Sequence, residues 1–336
     1  MVKNLIIVLF CAGCIGCSAS RKLTSEPVVT KIWDTAKHSA FTSLIRFNNA
    51  FYCSFREGTG HIPGEDGKIR VIRSKNGKRW KSVALLQKDT FDLRDPSLSV
   101  TPDNRIMISI GGSIYDRQVR NKFLARHPMV SFSDAKGENF SAPGRSVIDP
   151  PGKNNWIWRV TWHKGIAYGM CYMNEGLALL KSTDGRHYER MTVLDIDGAP
   201  NESTIRFDKN DRMVIMVRRE EKDQMGVLAG SMPPYTNWTY KKLTRRLGGP
   251  NFLFSPDGKY LIMGTRLYEP DGHYTGILVA DLDGNIIKTI KLPSKGDTSY
   301  PGMVIHNGKL WFTYYSSHEA KTSIYATTIP LKQLLP

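Results

Sequence analysis

Short apolar runs, each followed by a turn signal, recur along the chain from about residue 31 onward. The runs are four to six residues long, are rich in Ile, Val, Met and aromatic residues, and include 68–73, 105–110, 166–171, 213–217, 260–263 and 309–313. Asn-Gly or Asp-Gly pairs follow several of them, as at Asn76-Gly77 and Asp257-Gly258. These pairs reach positive φ at little cost and favour tight hairpins. Because no long amphipathic helical pattern is present, the sequence predicts an antiparallel all-β protein.

One turn motif repeats at the spacing of a propeller blade. The segment 74–80 (SKNGKRW) returns at 182–188 (STDGRHY), with a looser copy at 133–140 (SDAKGENF), so the serines are 59 and 49 residues apart. In such a turn Ser and Asp or Asn hydrogen-bond the backbone, and glycine takes positive φ. A four-stranded blade needs about 50 residues. We therefore predict a six-bladed β-propeller in which each blade is a four-stranded antiparallel sheet; five or seven blades would also fit this length.

The N-terminus has the pattern of an export signal. Lys3 precedes a short apolar run at 5–10, and small residues and cysteines lead to Gly16-Cys17. The run is too short to span a bilayer. The sequence predicts a signal peptide at 1–17 that resembles the bacterial lipoprotein cleavage box, with Cys17 lipidated (Cys14 is the second candidate), or ordinary secretion. A polar tether at 18–30 and a single propeller domain at 31–336 would follow, in the periplasm or on the outer membrane or cell surface.

Cysteine usage and charge restrict the remaining possibilities. Cys53 and Cys171 lie in apolar strand-like runs, which favours buried free thiols over a disulfide. The 47 basic and 31 acidic residues give a formal charge of +16, which reflects either a solvated lysine-rich surface or attraction of polyanions into a basic cleft. Nucleic acid is not favoured, because no basic helix, zinc spacing or aromatic RNA motif is present. No metal-ligand pairing or cofactor motif is found, so neither is expected.

Two later segments resemble catalytic parts of the sialidase superfamily. Segment 299–305 (SYPGMVI) carries Tyr300 at the start of a predicted strand, and segment 201–206 (NESTIR) carries Glu202. The resemblance implies that Tyr300 is the nucleophile and Glu202 the base that activates it. Arg218, which ends the next strand, matches one of three arginines that bind the substrate carboxylate. The turn motif resembles the Asp-box of these propellers.

The start of the first predicted blade departs from the family pattern. Residues 40–44 (AFTSL) stand where the family has an arginine of the triad, so the triad is incomplete. For the acid/base, alignment from the first turn motif points to His61, and Asp66 and Asp95 are further candidates. The third arginine position corresponds to the glycine-rich stretch 248–251, and Arg266, one strand later, is its substitute.

An incomplete triad argues against cleavage of sialic acid itself. In sialidases a tyrosine nucleophile avoids the repulsion that a carboxylate nucleophile would meet from the acidic sugar. The same reason would apply to a different acidic sugar held by Arg56, Arg159 and Arg218. The remaining candidates for substrate binding are Arg94, Arg266, Trp162 and His318. Arg94 with Asp95 also fits a structural ion pair.

The sequence thus predicts an exo-acting glycoside hydrolase that cleaves a terminal, acidic or substituted sugar from a complex glycan. Its partner is a glycan, with membrane contact only through the lipid anchor, and we expect a monomer. Two alternatives remain: a non-catalytic glycan-binding propeller, and a lyase or hydrolase that uses His61 as its base.

Overall fold

The computed structural model describes residues 27–62, 65–119, 122–152, 154–173 and 175–336. The predicted signal peptide with Cys17, and most of the predicted tether, lie outside these residues. The first strand, β1 (Val29–Trp33), begins two residues before the predicted start of the domain. No described helix is long and apolar enough to cross a membrane.

Antiparallel sheets of four strands repeat six times along the chain, and each sheet forms one blade. Blade one contains β2 (His38–Phe47), β3 (Ala50–Gly58), β4 (Lys68–Ser74) and β5 (Lys81–Leu86). Blade two contains β6 (Asp92–Val100), β7 (Ile106–Tyr115), β8 (Phe123–Phe132) and β9 (Gly144–Arg145). Blade three contains the short β10 (Val147–Asp149), then β11 (Trp156–His163), β12 (Ile166–Met173), β13 (Gly176–Ser182) and β14 (His187–Val193).

The last three blades follow the same order. Blade four contains β15 (Pro200–Phe207), β16 (Met213–Arg219), β17 (Met225–Ser231) and β18 (Thr239–Arg246). Blade five contains β19 (Asn251–Phe254), β20 (Tyr260–Glu269), β21 (Gly272–Asp281) and β22 (Ile286–Lys291). Blade six contains β23 (Thr298–His306), β24 (Lys309–Ser316) and β25 (Ser323–Pro330), and α1 (Leu331–Leu334) follows it. The predicted six-bladed, all-β propeller is confirmed.

Two details go beyond the prediction. Strand β1 pairs with β25 as the outer strand of blade six, so the N-terminal strand closes the ring. Strand β10 adds a fifth, parallel strand to the outer edge of blade three.

The hydrophobic core lies between neighbouring blades. Ile69 and Val71 of β4 alternate toward blade two, where they join Ile106 and Ile108 of β7 and Met129 of β8 in one buried cluster. The period of two along each strand is what allows one face to pack on the next blade.

The turns and cysteines agree with their sequence signals. Ser182 and Asp184 accept hydrogen bonds from the backbone of their own turn, with Gly185 N–H 2.9 Å from Ser182 Oγ. Cys53 and Cys171 are buried free thiols. Burial raises the pKa of each thiol to about 12, so both are unreactive near neutral pH.

In five of the blades, the innermost strand, which lies next to the axis of the ring, contains a bulge. The strand register shifts in β2, β6, β11, β15 and β23, which are the innermost strands (the first of the four antiparallel strands) of blades one, two, three, four and six. A bulge turns side chains away from the ordinary alternation. Three bulge residues, Phe41, Asp95 and Tyr300, have φ of 65°, 48° and 50°. Positive φ is costly for such residues, and residues of this kind cluster at functional sites.

Candidate active site

Tyr300 and Glu202 meet at the end of the axis where the first strands begin. Tyr300 lies in the bulge of β23, and Glu202 lies in the bulge of β15. Tyr300 Oη donates a hydrogen bond of 2.6 Å to Glu202 Oε1, and both residues are buried. The contact expected between these two residues is therefore present.

Gly249 completes the surroundings of the pair. Its N–H donates to Glu202 Oε2 at 2.9 Å, and its φ is +58°. A Cβ at this position would lie 2.4 Å from the Tyr300 ring. Only glycine allows the backbone to hold the carboxylate and touch the ring at once.

Arg218 binds the same carboxylate from the end of β16. Its Nη1 lies 2.5 Å from Glu202 Oε1 and 3.4 Å from Tyr300 Oη, and its Nη2 pairs with Glu220. A guanidinium at this position stabilises negative charge on either oxygen.

The resting state of Tyr300 is neutral. Burial raises the pKa of Tyr300 well above its ordinary value, and the charge of Glu202 raises it further, while Arg218 and Arg266 oppose the shift. Arg266 lies behind the ring, with Cζ 5.5 Å from the ring centroid, and donates to the Thr298 carbonyl. Ionisation of the phenol therefore requires proton transfer to Glu202, helped by two cations.

A pocket with a volume of about 260 Å³ opens above this pair. Its wall is aromatic and cationic, formed by Phe41, His61, Arg94, Asp95, Ser113, Tyr115, Phe123, Arg126, Trp156, Tyr172, Glu202, Arg218 and Tyr300. It therefore combines most of the predicted catalytic candidates with residues from β7, β8 and β12 of the neighbouring blades.

Asp95 is a carboxyl group poised to change protonation. Its Oδ1 is buried and has no hydrogen-bond partner among the described residues. Burial raises the pKa of Asp95 to about 6, against the attraction of the Arg94 guanidinium. A carboxyl that titrates there can give and take a proton near neutral pH.

His61 belongs to a hydrogen-bonded network at the pocket rim. Its Nδ1 lies 2.9 Å from Asp297 Oδ2, and Arg94 Nη2 lies 3.1 Å from its Nε2. His38 Nε2 reaches the same Asp297 oxygen at 3.0 Å. Since a guanidinium can only donate, Nε2 accepts and Nδ1–H donates to Asp297. Both ring nitrogens of His61 are therefore engaged.

The same group has the composition of a metal site. The ligand atoms of His38, His61 and Asp297 lie within 4.8 Å of one another. However, Arg94 contacts His61, and Arg266 Nη2 lies 3.5 Å from Asp297 Oδ1. Two neighbouring guanidiniums oppose a divalent cation, so we interpret the group as a positioning network.

Arg126, on β8, was not identified from the sequence. Its guanidinium lies over the rings of Phe123, Trp156 and Tyr172, 5.2–5.7 Å from their centroids. Among the described residues it forms no ion pair with a carboxylate, unlike Arg218. It is thus a cation on the pocket wall that is free to bind an anion. The segment 122–127 carries no motif, and only the position of β8 beside the pocket reveals it.

Several predicted binding residues lie elsewhere. Arg56 is 1% exposed, and its guanidinium binds Asp92 at 2.8 Å and the Gly60 carbonyl at 2.9 Å. Trp162 lines a cavity farther along the axis, and Arg159 lies between that cavity and a small one that it shares with Asp95 and Tyr300. His318 Nδ1 lies 2.9 Å from Ser316 Oγ.

Asp66, the further acid/base candidate, occupies the rim loop. Its carboxylate pairs with Arg117 at 3.1 Å, and its side chain is 38% exposed. Asp66 is not among the described residues that line the pocket around Tyr300 and Glu202.

Solved structures place the fold among the sialidase-like propellers. A Dyadobacter fermentans protein of unknown function matches with a TM-score of 0.77 at 19% identity, over 90% of this chain and 97% of that one. A Hadza microbial sialidase matches with a TM-score of 0.70 at 13% identity, over 90% of this chain and 68% of that one.

A third match is more distant. The Trypanosoma rangeli sialidase has a TM-score of 0.67 and 11% identity, and the match covers 93% of this chain but only 59% of that enzyme. No protein-family model matches the chain, and no curated protein matches it. At these identities the likeness establishes a sialidase-like fold.

Replacing Gly249 with alanine should move the Tyr300 ring. We expect Gly249→Ala to lose about 1–2 kcal/mol of unfolding free energy through its positive φ, and roughly 1–3 kcal/mol more through the clash. Gly258→Ala is the matched control, because Gly258 has φ +71° and open space around its Cβ position. Denaturant unfolding measures both; equal losses would mean that Gly249 does not confine the ring.

Proposed function

We propose that this chain is an exo-acting glycoside hydrolase that removes a terminal acidic or substituted sugar from a complex glycan. The observation that carries the proposal is the 2.6 Å hydrogen bond between Tyr300 and Glu202, with Arg218 on the same carboxylate oxygen. A phenol bonded to a buried carboxylate and flanked by a cation is the arrangement that an activated tyrosine nucleophile requires.

The first half of the reaction forms a bond between tyrosine and sugar. Glu202 Oε1 takes the phenolic proton while Tyr300 Oη attacks the anomeric carbon. The bond from that carbon to the leaving oxygen breaks, and Asp95 supplies the proton for the leaving group. Arg218 offsets the charge that moves from Glu202 toward Tyr300 during this transfer.

The second half releases the sugar. Asp95, now ionised, takes a proton from water, and the resulting hydroxide oxygen attacks the anomeric carbon. Tyr300 Oη leaves and recovers its proton from Glu202. Two displacements at one carbon give retention of the anomeric configuration.

Asp95 suits the acid/base role better than His61. Its pKa of about 6 lets it be protonated for the first step and ionised for the second. His61 has both nitrogens committed to Arg94 and Asp297, so we assign it to positioning Arg94. The same engagement weighs against the lyase alternative, in which His61 would be the principal base.

An acidic sugar fits the charge of the pocket. Arg218 is offset by Glu202 and Glu220, but Arg126 has no carboxylate partner among the described residues. Its place over Phe123, Trp156 and Tyr172 sets it on the wall formed by blades two and three, whereas the nucleophile belongs to blade six. We infer that the anionic group of the sugar binds there. In this proposal the protein is exported and anchored through Cys17, where glycans are accessible.

The non-catalytic alternative makes a different demand on the site. A binding pocket needs no base in contact with Tyr300, and it gains nothing from an uncommon backbone conformation at that residue. The hydrogen bond to Glu202 and the φ of 50° therefore favour catalysis over binding alone.

Tyr300→Phe should abolish sugar release. Wild type and variant are incubated with a panel of acidic and neutral glycans, and free monosaccharide is quantified. We expect a loss of about 10³-fold or more, because the nucleophile is removed while the ring packing is kept. Tyr314→Phe is the control, since its buried hydroxyl binds the Pro293 carbonyl instead.

Two results would count against this mechanism. Equal release by wild type and Tyr300→Phe would exclude the tyrosine nucleophile. An unsaturated product absorbing in the near ultraviolet would identify a lyase instead.

The rate should depend on protonated Asp95. Its pKa lies near 6, so the acid form is lost as pH rises, and we expect kcat/KM to fall about tenfold per unit above that value. In Asp95→Asn this alkaline limb of the pH–rate profile should vanish, and activity toward natural glycans should be about 10²–10⁴-fold lower. A glycoside with an acidic phenol as leaving group should be affected far less. Persistence of the limb in Asp95→Asn, but not in His61→Gln, would assign the acid to His61.

A further inference from the structure

A second cavity lies farther along the axis than the catalytic pocket. Its volume is about 410 Å³, and the first strand of every blade contributes to its wall. One residue from each of blades one to six illustrates this arrangement: Ser43, Ser99, Arg159, Arg206, Asn251 and Met303. An occupant of this cavity would therefore contact all parts of the ring.

The wall of this cavity is positively charged. Arg46, Arg159 and Arg206 line it, and no carboxylate is found among its described lining residues. Arg206 Nη2 donates to Asn251 Oδ1 at 2.8 Å, and the Asn251 amide and Arg159 Nη2 both donate to the Pro301 carbonyl, at 3.0 and 3.3 Å. The two guanidiniums are thus held close together around one carbonyl and one amide.

Unused hydrogen-bond donors belong to the same wall. Arg159 is 6% exposed, and its Nε has no hydrogen-bond partner among the described residues. Ser99 Oγ, on β6, is also buried without a partner within the described chain. Buried donors without partners are costly, and here they belong to residues around a single polar space.

The electrostatics of the two arginines agree with this picture. Burial, together with repulsion from Arg159, lowers the pKa of Arg206 to about 9. Burial likewise lowers the pKa of Arg159 to about 10, against the attraction of Asp95 and Glu202. A buried pair of like charges is stabilised by opposite charge, and a bound anion would add to the attraction that these carboxylates exert on Arg159.

We propose that this cavity is a binding site for a small oxyanion of the phosphate or sulfate class. Its oxygens would accept hydrogen bonds from Arg159, Arg206 and Ser99, and so join the first strands of blades two, three and four. By joining three blades, such a ligand stabilises the closed ring.

Thermal unfolding with inorganic phosphate tests the proposal, with total ionic strength held constant by sodium chloride. We expect the Tm to rise saturably, by about 4 °C at a hundredfold excess over Kd. Arg206→Gln should lose this rise. Ser99→Asp, which supplies an internal carboxylate, should lose it too and decides the matter if Arg206→Gln does not fold.

Two controls separate this cavity from other basic sites. Arg126→Gln, in the catalytic pocket, and Arg79→Gln, on the exposed surface, should keep the full rise in Tm. Loss of the rise in Arg126→Gln, with retention in Ser99→Asp, would overturn the proposal and place the anion in the catalytic pocket. Absence of a saturable rise in wild type would overturn it as well.

Discussion

The hydrogen bond between Tyr300 and Glu202 joins blades four and six across the axis, and the proposed chemistry depends on it. Both residues lie where the register of their strand shifts, so the ordinary alternation of side chains is broken there. Bulges in β15 and β23 bring them to the axis, and ring closure by β1 and β25 completes blade six. Gly249 then provides the space and the N–H that fix both groups.

Charge is distributed differently in the two cavities along the axis. Around the nucleophile, the charge of Arg218 is balanced by Glu202 and Glu220. Tyr300 and Glu202 can therefore exchange a proton without leaving an isolated charge. Farther along the axis, Arg159 and Arg206 share a cavity without a carboxylate among its described lining residues. The first arrangement suits proton transfer, and the second suits an anion from outside the chain.

The sequence predicted the fold better than the site. Turn motifs at blade spacing predicted six blades because hairpin turns leave a local signal, and the contact between Tyr300 and Glu202 was implied by the resemblance of their segments to the sialidase superfamily. Arg56 had been expected at the sugar, but its side chain turns toward Asp92 in blade two. Arg126, Asp297 and Gly249 were missed, because their importance depends on which blades face one another. Local sequence patterns do not indicate which blades face one another across the axis.

The most direct test of the account is to look for sugar bound to Tyr300. The protein would be mixed with a glycan that it turns over, quenched with acid during the steady state, digested and analysed by mass spectrometry. The account predicts a peptide containing Tyr300 that is heavier by one sugar residue, and no such adduct in Tyr300→Phe. A sugar on Glu202 or Asp95, or turnover with inversion and no adduct, would contradict the tyrosine nucleophile.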